Sequence, residues 1–132
     1  MSNCRSKFAQ LVKSSIGSPP SQPARIVAYT LTNGSFRREW LGNLERTRKR
    51  LDSIRNELYE KLRLKSTPKT WSHIIDQKGL YSWIGLTQAQ ADWILENHGL
   101  KIEDQTINIS CLNESNIDLL VEAIDGAFRL DF

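Results

Sequence analysis

The chain has 132 residues, close to one domain on a prior of about 150 residues per domain, and a chain of this size buries enough core to fold with neither disulfides nor a metal. Its 18 basic and 15 acidic residues leave a net charge of +3, and four Trp, four Phe and three Tyr supply buried surface that argues against disorder. The apolar run Ile26–Leu31 falls far short of the roughly 20 residues of a membrane span, and no apolar core follows Met1–Lys7 as a secretory signal requires. These features point to a soluble globular protein of the cytoplasm.

Phe8, Leu11, Val12 and Ser15 recur at helical spacing and predict a short helix over Arg5–Ser15. Ile16–Pro23 holds three prolines and a glycine, which breaks helix and sheet alike. Pro23 is placed to open a helix over Ala24–Leu31 with Ile26, Val27 and Leu31 as its buried face. Asn33-Gly34 ends it with residues suited to left-handed backbone. A long helix follows over Phe36–Leu64, roughly 40 Å at 1.5 Å per residue. Its apolar stripe is Trp40, Leu44, Leu51, Ile54, Leu58 and Leu62, and Thr67-Pro68 stops it.

The second half changes character. Trp71–Gln77 is mixed, and Leu80–Ile84 reads as a strand rich in aromatic and branched residues. Thr87 with Gln90 fits a capping box for a helix over Gln88–Asn97 that buries Ala91, Ile94 and Leu95 and stops at His98-Gly99. Leu100–Ile102 is a short strand, Glu103-Asp104-Gln105 a turn, and Thr106–Ser110 a second strand by its period of two. Asn113 caps a last helix with Ile117, Leu120, Val121, Ile124 and Phe128 on its core face. The fold class is α+β: a small mixed sheet covered by helices, with one long helix in the N-terminal half. A single domain over 1–132 contains a helix and Pro-rich segment (1–22), helices (23–66) and an α+β subdomain (67–132).

Chemistry-bearing motifs are scarce. There is no GxGxxG, P-loop, GxSxG or HExxH. Cys4 and Cys111 form no CxxC, and with His73 and His98 they match no zinc spacing, so no metal site is expected. Surface or helix-end roles are the favoured reading of both histidines. Asp76, beside Gln77 and near His73, reads as a turn-stabilising residue before a polar-site residue. Charge is uneven: ten basic and five acidic residues lie in Arg37–Lys65, against two basic and seven acidic in Lys101–Phe132. The run Arg46-Thr47-Arg48-Lys49-Arg50 invites a phosphate reading. Interleaved acids (Glu45, Asp52, Glu57, Glu60) and the lack of a stacking aromatic favour a solvated helix, with no specific nucleic acid and no membrane as partner.

One set of segments carries more. In order stand Ser18-Pro19-Pro20 with Ala24-Arg25-Ile26-Val27, then Glu39-Trp40-Leu41-Gly42-Asn43, then Arg50 to Leu58. Thr67-Pro68-Lys69-Thr70-Trp71-Ser72-His73-Ile74 and Asp76-Gln77-Lys78-Gly79-Leu80-Tyr81-Ser82-Trp83, continued by Gly85-Leu86, complete the set. Nearly the whole chain, in register, resembles the C-terminal third of the aspartate aminotransferase family of the animal cytosolic type. The resemblance implies the small domain of the type I aminotransferase fold and a pyridoxal-phosphate-dependent transfer of an amino group between a dicarboxylic amino acid and a 2-oxo acid.

The same resemblance places the Schiff-base lysine and the phosphate ligands in a large domain upstream of these residues. No catalytic, cofactor-binding or metal residue is therefore assigned in this chain, and no cofactor is expected for it alone. The family's Gly-Arg-Ile-Asn segment, whose Arg grips the substrate α-carboxylate, is matched by Gln105-Thr106-Ile107-Asn108, so Thr106 stands at the Arg position. Tyr81 stands at the family's substrate-bordering aromatic position. The resulting expectation is a small domain, truncated relative to the family, without transaminase activity of its own. The alternatives are a part of an active aminotransferase, or a non-enzymatic interaction module. A homo-oligomer or a protein partner is expected on the face that the large domain covers in the family.

Overall fold

The computed structural model describes residues 2–17, 21–65, 67–103 and 105–130. The Ser18-Pro19-Pro20 breaker and Asp104 of the expected turn lie outside them. The chain divides into two compact units, 1–44 and 45–132.

The first unit is helical. α1 runs Ser2–Ile16 and ends at Gly17, whose φ of 66° needs a glycine. α2 runs Ser21–Thr32, starting before Ala24. Pro23 lies in its first turn, where a missing N–H has no helical acceptor to lose. The expected buried face of α2 is not buried: Ile26, Val27 and Leu31 are 60, 56 and 41% exposed. No described side chain of this unit up to Leu44 is buried, so periodicity here marks an apolar face without an opposing layer. Asn33 does the opposite of what its Asn-Gly pair suggests. Its Oδ1 accepts the N–H groups of Ser35 at 3.0 Å and Phe36 at 3.2 Å, which is the capping of a helix start. α3 therefore begins at Gly34, without left-handed backbone, and runs 30 residues to Arg63. Trp40 and Leu44 of the expected stripe are 42 and 48% exposed.

The second unit holds the core. Along α3, Ile54, Leu58 and Leu62 are buried, with Leu51 packed beside them. After the short α4, His73–Asp76, come β1 (Tyr81–Trp83), α5 (Gln88–His98), β2 (Thr106–Asn108) and α6 (Ile117–Arg129). β1 and β2 pair antiparallel with Tyr81 opposite Asn108, Ser82 opposite Ile107 and Trp83 opposite Thr106. Ser82 and Ile107 face inward, and Ile74, Ile84, Ile94, Ile109, Ile117 and Ile124 fill the interior between sheet and helices.

α5 is built as its sequence reads. The Thr87 hydroxyl accepts the Gln90 N–H at 3.2 Å, and the Gln90 side chain accepts the Thr87 N–H at 3.0 Å. Gly99 closes the helix at φ 67°. α5 packs on α6 where Gly126 meets Trp93: a Cβ at Gly126 would lie 2.8 Å from the indole ring.

In the second unit, further boundaries and faces differ from expectation, beginning with β1, which is shorter than Leu80–Ile84. Leu95 is 45% exposed while Ala91 and Ile94 are buried, because the buried Gln90 takes part of the inward face for its cap and a bond to the Ala127 carbonyl. Leu100–Ile102 is not a strand; the bridge there is Glu103 to Thr106. The second strand ends at Asn108, whose Oδ1 accepts the Ser110 N–H and hydroxyl and turns Ile109–Cys111 into a 3-10 turn. Asn113 does not cap α6 directly. Its Oδ1 holds Ser115 in a preceding turn, and α6 starts at Ile117.

Candidate functional site

Tyr81 and Thr106 come together. The pleat places Tyr81, Trp83, Thr106 and Asn108 on one face of the two-stranded sheet. Tyr81, Thr106 and Asn108 line a concavity of about 600 Å³, with Lys101, Glu103 and Cys111 among its other lining residues. Sequence pattern alone had no means of joining Tyr81 to Thr106, since 24 positions of chain and a helix separate them.

The chemistry of this hollow is subdued. The Thr106 hydroxyl donates to the Glu103 carbonyl oxygen at 3.0 Å, and the Thr106 N–H donates to the same oxygen at 2.8 Å. Gln105 bridges them in left-handed backbone, φ 57°. Lys101 and Glu103 form an exposed ion pair. The hydrogen bond from Lys101 holds the Glu103 carboxyl below the usual carboxylate range, and its counterpart holds the Lys101 ammonium above its own. Lys101 is the one cation among the described lining residues, and it is already engaged. Holding a phosphate takes several donors or cations converging on one anion. The residues of this hollow do not fit pyridoxal phosphate.

The other candidates lie apart. His73 sits in α4 with Nε2 3.1 Å from the Trp83 carbonyl oxygen and its ring 5.5 Å from that of Trp83. His98 ends α5 against Trp93 at 5.4 Å. The polar role weighed for Asp76 falls to its neighbour: Gln77 Oε1 accepts the Ser82 hydroxyl at 2.6 Å and the Trp83 N–H at 2.9 Å. Cys4 and Cys111 are free and exposed. Among the described residues, no group of three His, Cys, Asp or Glu side chains is placed to hold a metal ion, and no helix is long and apolar enough to cross a membrane.

The basic run is woven into the fold's own bonding. Arg48 bonds Glu45 and Asp52 at 2.7–2.9 Å. Arg50 reaches the Leu112 carbonyl at 3.0 Å. One cation escaped the sequence reading. Arg55 is 3% exposed and donates to the carbonyls of Ile74 (3.2 Å), Gly79 (2.8 Å) and Tyr81 (2.9 Å). It anchors the loop that enters β1, directly behind Tyr81. The signal was present: Arg55 shares a helix face with Leu51, Leu58 and Leu62 at spacings of four, three and seven.

Comparison with known proteins settles the lineage. The family model described as aminotransferase class I and II matches residues 2–124. The chain belongs to this aminotransferase family. It is 35% identical over 126 residues to the cytoplasmic aspartate aminotransferase of Caenorhabditis elegans, covering 95% of this chain and 31% of that protein. The Gallus gallus cytoplasmic aspartate aminotransferase is 36% identical over 123 residues, 92% of this chain and 30% of that one. Among solved structures, the aspartate aminotransferase from Saccharomyces cerevisiae cytoplasm superposes with a TM-score of 0.85 at 29% identity, over 94% of this chain and 30% of that chain. The Trypanosoma cruzi aspartate aminotransferase gives 0.84 at 31% identity, over 94% and 32%. The chain thus has the aminotransferase fold of these neighbours over a segment that spans about a third of their length.

Proposed function

We propose that this chain is an aspartate-aminotransferase-like small domain that does not catalyse transamination by itself. The observation that carries the reading is Thr106. Where the family resemblance places an arginine for the substrate carboxylate, a hydroxyl stands, and it is spent on the Glu103 carbonyl. A guanidinium offers a planar fork of donors to a carboxylate; a threonine offers one donor, here engaged. The family resemblance implies that the Schiff-base lysine and the phosphate ligands lie upstream of the residues matched here. Residence in the cytoplasm is carried over from the names of the relatives.

The test mixes the purified chain with pyridoxal phosphate, L-aspartate and 2-oxoglutarate and follows oxaloacetate, then reduces with borohydride and maps labelled peptides. No turnover and only scattered surface labelling are expected. Turnover, or stoichiometric labelling of one lysine, overturns the reading. A second reading, part of an active aminotransferase, is favoured by the 31% coverage of the relative. It is separated by sequencing the transcript upstream of Met1 for an in-frame lysine-bearing domain, and by assaying any such longer product with Thr106 as it stands.

A further inference from the structure

A second concavity, of about 310 Å³, opens where α3 gives way to the loop before α4, and it shares no described lining residue with the Tyr81–Thr106 hollow. Arg63, Lys65 and Lys69 line it together with the hydroxyl residues Thr67, Thr70 and Ser72, and no acid stands among the described lining residues. These groups have capacity left. Trp71 Nε1 donates to Thr67 Oγ1 at 2.8 Å, and a hydroxyl that accepts keeps its own proton to donate. Arg63 bonds Glu60 through Nε and Nη2, at 3.1 and 2.6 Å, which leaves its Nη1 edge unspent. Lys69 Nζ donates to the Gly85 carbonyl oxygen and stands 5.3 Å from the centre of the Phe128 ring, contacts that hold the ammonium in place without neutralising it. Among the described residues, the Lys65 ammonium and the Thr70 hydroxyl have no hydrogen-bond or ion-pair partner. The carboxyl end of α3 brings about half a negative charge, which falls off within its last turn. Lys61 and Arg63 in that turn answer to it. Lys65 and Lys69 lie beyond the helix and remain in excess.

We propose that this pocket binds the phosphate group of a small phosphomonoester, with Lys65, Lys69 and Arg63 Nη1 as its cations and the hydroxyls of Thr67 and Thr70 as further donors. Charge-assisted hydrogen bonds are the strong ones, and a tetrahedral dianion with three terminal oxygens uses more of them than a carboxylate with two. The volume is room for about ten waters at about 30 Å³ each, more than a bare phosphate fills, so an esterified organic group has space beside it.

The experiment is calorimetric titration of the full chain with phenyl phosphate and with inorganic phosphate, at an ionic strength held constant with sodium chloride. Saturable binding at one site is expected, with phenyl phosphate at least as tight as inorganic phosphate. Lys65→Ala with Thr70→Ala removes a cation and a donor that bond nothing else described, and should weaken binding about tenfold or more with helical content unchanged by circular dichroism. Lys13→Ala on α1 removes the same charge elsewhere and should leave the affinity unchanged. If the double variant loses helicity, Lys65→Gln alone replaces it. No saturable binding, displacement by chloride alone, an equal loss in Lys13→Ala, or an undiminished affinity in the pocket variant overturns the proposal. So does inorganic phosphate binding more tightly than the ester, or a chain that binds phosphatidic acid vesicles while ignoring phenyl phosphate.

Discussion

Thr106 and Glu103 are tied twice through one atom: the backbone N–H and the hydroxyl of Thr106 both donate to the Glu103 carbonyl oxygen, at 2.8 and 3.0 Å. The pair closes the turn that leads into β2, so the hydroxyl does structural duty. Thr106→Val keeps the shape and β-branching but deletes one donor. It should lower stability by about 1 kcal/mol, read as a lower urea midpoint at unchanged slope, whereas Thr106→Ser should lose less. Identical midpoints for Val and Thr would remove the hydroxyl from the account of this turn.

Arg55 is the second test. Its guanidinium is buried, sends three hydrogen bonds to backbone carbonyls, and is held below its ordinary pKa chiefly by desolvation. Arg55→Met fills the volume and leaves those carbonyls without their partner. A loss of about 2–4 kcal/mol is expected in thermal or urea unfolding. Arg55→Lys should recover only part of it, because one ammonium cannot serve three diverging acceptors as a planar fork does.

Gln105 supplies a test of backbone strain. It holds φ 57° at the position where the family resemblance has glycine. Left-handed backbone costs a non-glycine residue roughly 1–2 kcal/mol, and glycine's extra unfolded-state freedom offsets part of the relief. Gln105→Gly should therefore match or exceed the parent in stability, while Gln105→Val, β-branched, should fall below it by about 1 kcal/mol or more. A stable valine variant would mean that this turn can relax.

Acid should weaken the second unit in a salt-sensitive way. The hydrogen bond from Arg48 holds the Glu45 carboxyl below its ordinary value of 4.5, and Lys101 does the same for Glu103. Groups with a depressed folded pKa stabilise above the unfolded value, and that contribution is lost as pH falls through the folded one. On the alkaline side, the bond to Asp118 raises the Lys61 ammonium, so its contribution holds below 10.5 and fades as pH rises beyond. Unfolding midpoints should be level between these limits and decline below about 4.5. Since the pairs are exposed, high salt should shrink the acid-side decline. A decline of equal size in high salt would point to buried groups instead.

The legible parts of this fold were those where a local rule and a tertiary partner agree. Thr87 and Gln90 form their capping box because both halves of the signal lie within one turn. Ile117, Leu120, Val121 and Ile124 are buried because α6 has a layer to pack on. Ile26 and Val27 obey the same periodicity and stay in water, since a stripe states where an apolar face points and nothing about what meets it. Asn33 misled because one amide side chain serves helix ends and helix starts alike; the hydrogen bonds to Ser35 and Phe36 decide. At the site, the threonine at 106 was readable, and its match to an arginine rests on the family resemblance alone. The use of that hydroxyl on Glu103 was not readable, since it depends on the left-handed bend at Gln105.

The 30 residues of α3 cross from surroundings without a buried side chain into surroundings where Ile54, Leu58 and Leu62 are sealed. A continuous ladder of hydrogen bonds is then only as durable, at each rung, as the packing beside it. In deuterated solvent, the amides of Arg37–Leu44 should exchange by local opening at rates close to those of a free peptide helix. Those of Ile54–Leu62 should wait for global unfolding. The helix becomes a graded clock along its own axis, with the slow end set where Arg55 clamps the loop before β1.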